Sequence, residues 1–155
     1  MLFIVIRCGR AKLVHYLYLI IIKTMKIILT NEESETMFHN ALCNGLSYIS
    51  GYGLTLEADE QDYKAASKKL KSEKPNEVIC YEDVLLEVLR MGNTLNMVDE
   101  EGDGDNNSTI SLSDVHERVS QTPIRFLTDM ITENDDAETA DVIIQTVFYQ
   151  DIIFG

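Results

Sequence analysis

Cysteine is scarce in this chain and unpaired. Of its 155 residues only Cys8, Cys43 and Cys80 are cysteines, and no CxxC spacing occurs among them. An odd, scattered set supports no disulfide framework and fits a reducing cytoplasm, which is the expected location. Basic residues are also few: 13 Lys and Arg stand against 26 Asp and Glu, a formal net charge of −13. The deficit is uneven. Residues 1–24 carry Arg7, Arg10, Lys12 and Lys23 and no acid, so the rest of the chain sets 9 basic against 26 acidic side chains, a net of −17. A body that negative repels nucleic-acid phosphates and argues against direct DNA or RNA binding. It favours cations or a protein partner with a basic surface, and it leaves homo-oligomerisation open.

Long hydrophobic runs are missing as well. Residues 2–6 and 13–22 are apolar, but Arg7, Arg10 and Lys12 divide them. Neither reaches the roughly 18–20 residues needed to span a bilayer, so membrane association is not expected. No small-residue cleavage site follows Ile22, which weighs against a signal peptide. Met25 opens Met-Lys-Ile-Ile-Leu-Thr, a natural protein start. The expectation is therefore a basic, apolar extension at 1–24, upstream of a single acidic domain at 25–155.

Catalytic fingerprints are absent too. There is no G-x-S-x-G elbow, and Gly51-Tyr-Gly53 lacks both the spacing and the lysine of a phosphate-binding loop. Carboxylates are so numerous that any pair could be nominated for acid–base work, so none is. The sequence reads as non-catalytic. There is also no internal repeat and no low-complexity segment.

Periodicity supplies a layout. Thr30 and Glu33 have capping-box spacing, and Phe38, Leu42, Leu46 and Ile49 recur at helical intervals, predicting a helix over 31–49 that Gly51 and Gly53 stop. Residues 54–57 alternate weakly, as a strand does. Asp59 or Glu60 opens a second helix through Leu70, with Lys68, Lys69 and Lys71 at its C-terminal end where the dipole favours cations. A third helix covers about 80–91 and ends at Gly92. Residues 94–98 and 108–112 alternate as the two strands of a hairpin. Ser113 or Asp114 caps a further helix, Thr122-Pro123 begins another, and Asp135 or Asp136 starts the last. The apolar tail 152–155 is expected to pack as a terminal strand or core plug. The fold class is α+β: a mostly helical single domain with a small antiparallel sheet, its hairpin at about 94–112.

The acidic connection 99–114 invites a calcium reading, because calcium takes six to eight oxygen ligands at alternating loop positions. Counting from Asp99 places Asp99, Glu101 and Asp103 at ligand positions with Gly104 at the turn, but Ile110 falls where the closing carboxylate belongs. Counting from Asp103 places Asp103, Asp105, Asn107 and Asp114 correctly, but Ser108 replaces the turn glycine. The halves fit together only with about four inserted residues, so a solvated acidic turn is the favoured reading and a Ca2+ loop the alternative. His39 and Cys43, four apart on one helix, have the spacing of two zinc ligands. Without a second pair they read as a surface histidine beside a buried cysteine, although folding could bring His116 and Cys80 near. Arg90, Arg118 and Arg125 are the only arginines beyond the extension. They are the candidates for a small-ligand site, such as one sequestering a signalling nucleotide.

Three segments resemble a type of small, uncharacterised protein found in bacteriophage and prophage genomes. These are Gly92-Asn-Thr-Leu-Asn-Met-Val-Asp99, Ile110-Ser-Leu-Ser-Asp-Val-His-Glu-Arg-Val119 and Asp136-Ala-Glu-Thr-Ala-Asp-Val-Ile-Ile-Gln145 with its Phe154-Gly155 ending. The resemblance spans roughly 80–155 and leaves residues 1–24 outside. It implies a phage setting and a host-cell cytoplasm, and it carries no site residues with it. Acids at 57–62, 73–77, 82–87, 99–105 and 129–141 would then form one negative surface. Ordinary solubility accounts for such a surface, and DNA mimicry is the functional alternative. The functional expectation is a non-catalytic accessory protein that binds a protein partner and inhibits a host defence or nucleic-acid enzyme.

Overall fold

The computed structural model describes residues 27–102 and 104–155. The expectations for the 1–24 extension, including Cys8, and for the side chain of Asp103 lie outside the described residues.

Helix α1 (Asn31–Gly51) starts on the predicted capping box: the Glu33 N–H donates to Thr30 Oγ1 at 3.2 Å, and the Thr30 N–H donates to Glu33 Oε2 at 2.7 Å. Its buried side, Met37, Phe38, Ala41, Leu42, Gly45 and Ile49, follows the three-and-four spacing of one helical face. Gly53, at φ 74°, takes the left-handed turn into strand β1 (Leu54–Ala58). Asp59 caps helix α2 (Glu60–Glu73), accepting from the Gln61 and Asp62 N–H groups. This helix buries only Ala66 and Leu70, so most of it lies in solvent. Helix α3 (Tyr81–Arg90) buries Val84, Leu85, Val88 and Leu89, and Gly92 at φ 87° ends it.

Strands β2 (Leu95–Asp99) and β3 (Ser108–Ile110) form the predicted hairpin, and β1 joins it on the far side of β2. Both pairings are antiparallel, with Leu56 opposite Met97 and Leu95 opposite Ile110. Alternation turns Leu54, Leu56, Leu95, Met97 and Ile110 to the helices, and all five are buried. Helix α4 (Leu112–Arg118), a 3-10 turn (Val119–Gln121), α5 (Ile124–Ile131) and α6 (Ala137–Tyr149) complete the domain. It is a mostly helical α+β fold with a small antiparallel sheet.

Helix α6 is the centre. Every side chain from Thr139 to Phe148 is buried, and Asp136 caps its start by accepting from the Thr139 N–H at 2.9 Å. Carbonyls near its buried end are satisfied from other elements, Val147 by Arg118 and Phe148 by Ser108. Its main neighbour is α1, and the two helices approach closest at Gly45. A Cβ there would lie 2.7 Å from Ile144 Cδ1 and 3.2 Å from the Ala140 backbone carbonyl carbon.

Three expectations need correction. The helix after the hairpin is capped by Ser111, not by Ser113 or Asp114. Strand β3 ends at Ile110, and Ser111-x-x-Asp114 is itself a capping box, with the Ser111 N–H donating to Asp114 Oδ2 at 2.8 Å. Pro123 sits at the cap of α5 rather than inside its first turn. The tail forms neither strand nor core plug: Ile152 and Ile153 remain 43% and 44% exposed, and Phe154 alone is tucked in. Gln150, at φ 57°, turns the chain back along α6, where a buried glutamine side chain rather than a sheet edge receives it.

Because the α1–α6 approach depends on a missing side chain, Gly45→Val is expected to destabilise the protein by about 2 kcal/mol through overpacking. Gly51→Ala, which meets nothing within 4 Å, should be neutral or slightly stabilising. Urea unfolding midpoints of the two variants distinguish a packing constraint from a general intolerance of α1 to substitution.

Candidate functional site

The acidic connection closes on itself. Asp99 Oδ1 accepts from the Gly102 N–H at 2.7 Å and the Glu101 N–H at 3.3 Å, and Oδ2 accepts from Asn106 Nδ2 at 2.9 Å. These donors, the Asn106 side chain foremost, hold the Asp99 carboxyl below the usual carboxylate range. Asn107 spends its side-chain oxygen on the Asp99 N–H at 2.8 Å. Asp114 belongs to the α4 cap and pairs with Arg118 at 2.5 Å. Burial alone would raise the Asp114 carboxyl, but the Ser111 and Arg118 donors outweigh it and hold it low. Glu101 and Asp105 are exposed. The hairpin therefore separates the sequence candidates: Asp99 and Asn107 organise the turn, while Asp114 starts the next helix. Among the described residues no three His, Cys, Asp or Glu side chains are grouped to hold a metal ion.

The three arginines are not brought together around shared space. Arg90 donates from Nε to Glu35 Oε2 at 2.7 Å, Arg118 pairs with Asp114, and Arg125 donates from Nη2 to Glu138 Oε1 at 3.0 Å. Each guanidinium has its own carboxylate, and no arginine lines either cleft described below. His116 shares Glu35 with Arg90, at 2.8 Å. Burial alone would raise the Glu35 carboxyl, but these two donors outweigh it and hold it low.

His39 and Cys43 reverse their expected roles. Cys43 is exposed, while His39 is partly buried, with Nε2 3.0 Å from Asp83 Oδ1 and Nδ1 4.0 Å from Cys43 Sγ. Asp83 is held in turn by the Cys80 N–H at 2.8 Å. Burial, followed by the nearby Glu82, Asp83 and Cys80, pushes the Cys43 thiol up. A thiol kept neutral is neither a primed nucleophile nor a ready metal ligand. Asp83, which joins α3 to this pair, has no signal in the sequence beyond its place three residues into a helix.

Two clefts indent the described surface. One, of about 430 Å3, runs along the start of α1 past Thr36, Met37 and Asn40 to Met130. The other, of about 530 Å3, lies between the end of α1, the start of α5, the first half of α6 and the C-terminal tail. Tyr48, Tyr52, Phe126 and Phe154 line it, with Glu138 and Asp141 as its acids. Tyr52 and Phe154 stack with ring centroids 5.0 Å apart.

Polar groups set the geometry of this second cleft. Gln145, fully buried on α6, accepts on Oε1 from the Ile153 and Phe154 N–H groups and donates from Nε2 to the Phe154 carbonyl and to Asp141 Oδ2. Tyr52 Oη also donates to Asp141 Oδ2, at 3.0 Å. Burial, then this hydrogen bond, pushes the Tyr52 phenol up to about 12, so it remains a donor at neutral pH. Asp141 is only 4% exposed, and its other oxygen, Oδ1, is buried with no hydrogen-bond partner among the described residues. Such an orphan costs about 1–3 kcal/mol, and more for a charged group. Burial pushes the Asp141 carboxyl up despite its two donors, and Glu138 adds to the shift. Nothing in the sequence marks Asp141 except its position four before Gln145. It was not among the sequence candidates.

The sign of that shift gives a pH test. A folded-state carboxyl raised above its unfolded value binds protons more readily when native, so its stability penalty is fullest at neutral pH and is relieved as pH falls. The unfolding free energy of the wild type, relative to Asp141→Asn, should therefore rise as pH is lowered from 7 to about 5, just above the ordinary aspartate range. Parallel urea-stability curves for the two proteins would show that Asp141 titrates normally.

No family model matches the chain, and no curated protein or solved structure shows significant similarity to it.

Proposed function

We propose that this chain is a non-catalytic accessory protein of the kind found in phage and prophage genomes, acting by binding a protein partner that presents a basic surface. The observation that carries the reading is how its charge is distributed. Of the eight Lys and Arg side chains among the described residues, Lys64, Lys69, Lys74, Arg90, Arg118 and Arg125 are each tied to a carboxylate. Few cations are left to neutralise the remaining acids. Glu32, Glu57, Glu101, Glu133 and Asp151 all lie exposed with no Lys, Arg or His paired to them among the described residues. Unneutralised surface charge of one sign accelerates encounter with a complementary partner and rejects like-charged ones. Inhibition of a host defence or nucleic-acid enzyme fits the same chemistry, since such enzymes carry basic grooves for phosphate backbones.

The test is affinity capture with the full-length chain from a bacterial lysate, followed by salt titration of each protein identified. Binding should weaken more than tenfold between 50 mM and 0.5 M salt, where the Debye length falls to roughly 4 Å. A specific partner retained undiminished at 0.5 M salt would sink the electrostatic reading.

A further inference from the structure

We propose that the cleft along the start of α1 is the docking groove for a basic, apolar segment of the protein partner, a stretch in which lysine or arginine flanks large apolar side chains. The inference rests on the reading of a partner with a basic surface, and it names the face that receives that partner.

The groove combines an apolar lining with acidic edges. Met37 of α1 and Met130 of α5 line it, in a volume of about 430 Å3. Methionine is unbranched and polarisable, so it adapts to whichever apolar side chain meets it. Two large apolar side chains that adjoin lining residues in sequence are left in solvent. Ile28, two residues before Thr30, is 92% exposed, and Ile131, next to Met130, is 52% exposed. Apolar surface left in water beside a groove is surface that a docked partner removes from water.

Charge selects the occupant. Glu32 and Glu33 are the only charged residues that line the groove, and both are exposed. Glu32 has no Lys, Arg or His paired to it among the described residues, and Glu33 is bonded only to Thr30, within its own capping box. Glu133, three residues beyond Met130, adds a further exposed carboxylate. The positive end of the α1 dipole points here, but these first-turn acids and the capping box answer it, so the groove repels anions. A second copy of the chain is a poor occupant, because each body sets 9 basic against 26 acidic side chains and would bring like charge to the rim. A segment that is both apolar and basic matches the lining and the edges together. The cleft beside the tail lacks this opening: Tyr52 and Phe154 stack on each other, and Glu138 is already paired with Arg125.

The experiment titrates the full-length protein with three acetylated and amidated hexapeptides, following the methyl signals of Met37 and Met130 by NMR. One sets two leucines between four lysines, one replaces the lysines by glutamate, and one replaces the leucines by serine. The lysine–leucine peptide should shift both methyl signals and bind at least about tenfold tighter than either control. Thr36→Trp, which places a large ring on an exposed lining residue, should abolish the shifts, and Glu32→Lys should weaken binding by about fivefold. Both substitutions lie outside the core, and circular dichroism checks that each variant is folded. Equal binding of the lysine–serine peptide, or shifts that leave Met37 and Met130 unmoved, would overturn the proposal. So would nuclear Overhauser contacts from these two methyl groups to residues 1–24 in the free protein, since the groove would then hold the chain's own basic segment. A salt-sensitive partner captured equally well by both variants keeps the function proposed above and removes the groove; peptide binding in the groove with no such partner does the reverse.

Discussion

The close approach of α1 and α6 is the constraint on which the fold depends. Helix α6 is buried over ten consecutive residues, so it needs partners on all sides, and α1 covers the longest of them. Gly45 against Ala140 and Ile144 lets the two backbones come near enough for Phe38, Leu42 and Ile49 to share one core with Ile143 and Val147. Interiors packed to crystal-like density do not absorb an extra methyl group where two helices cross. The sheet, α3 and α4 then close the remaining sides of this pair.

A helix that deeply buried still carries polar side chains, and they are the ones that organise its surroundings. Gln145 uses its amide to hold the backbone of the tail and its nitrogen to steady Asp141; Tyr52 ties the same carboxylate to the end of α1. One network therefore positions three separate segments. Such a network specifies geometry well when it is fully satisfied. Here a single oxygen of that network, Asp141 Oδ1, is left over and buried. The tail is held beside the cleft both by the glutamine's hydrogen bonds and by Phe154, which stacks on Tyr52 and packs against the core.

The ends of elements were the most legible part of the sequence. Thr30 with Glu33 and Gly92 act through atoms only a few residues away, so spacing alone identifies them, and it narrows two further caps to Asp59 or Glu60 and Asp135 or Asp136, of which the structure uses Asp59 and Asp136. The hairpin was readable for the same reason, since alternation reports which face is buried. Ser111 was missed because Ser113 and Asp114 are equally good capping residues; only the end of strand β3 at Ile110 chooses between them. The tail was misjudged because its apolar composition says that it avoids water, not what it finds. Cys43 and His39 exchanged their expected exposures because the helix face each occupies meets α3, whose position depends on contacts far away in the chain.

The sequence by itself determined the acidity of the body, the order and type of the helices and strands, and the α+β class. These follow from composition and from interactions within one turn or one strand pair. Only the tertiary structure decided that Arg90, Arg118 and Arg125 are spent on separate carboxylates, that Asp99 and Asp114 serve a turn and a cap, and that Asp141 lines a cleft. Each of those outcomes depends on a partner distant in sequence or on where the backbone turns. A side chain's type says what it can bond to, but packing decides which bonds it makes and which atom is left without one.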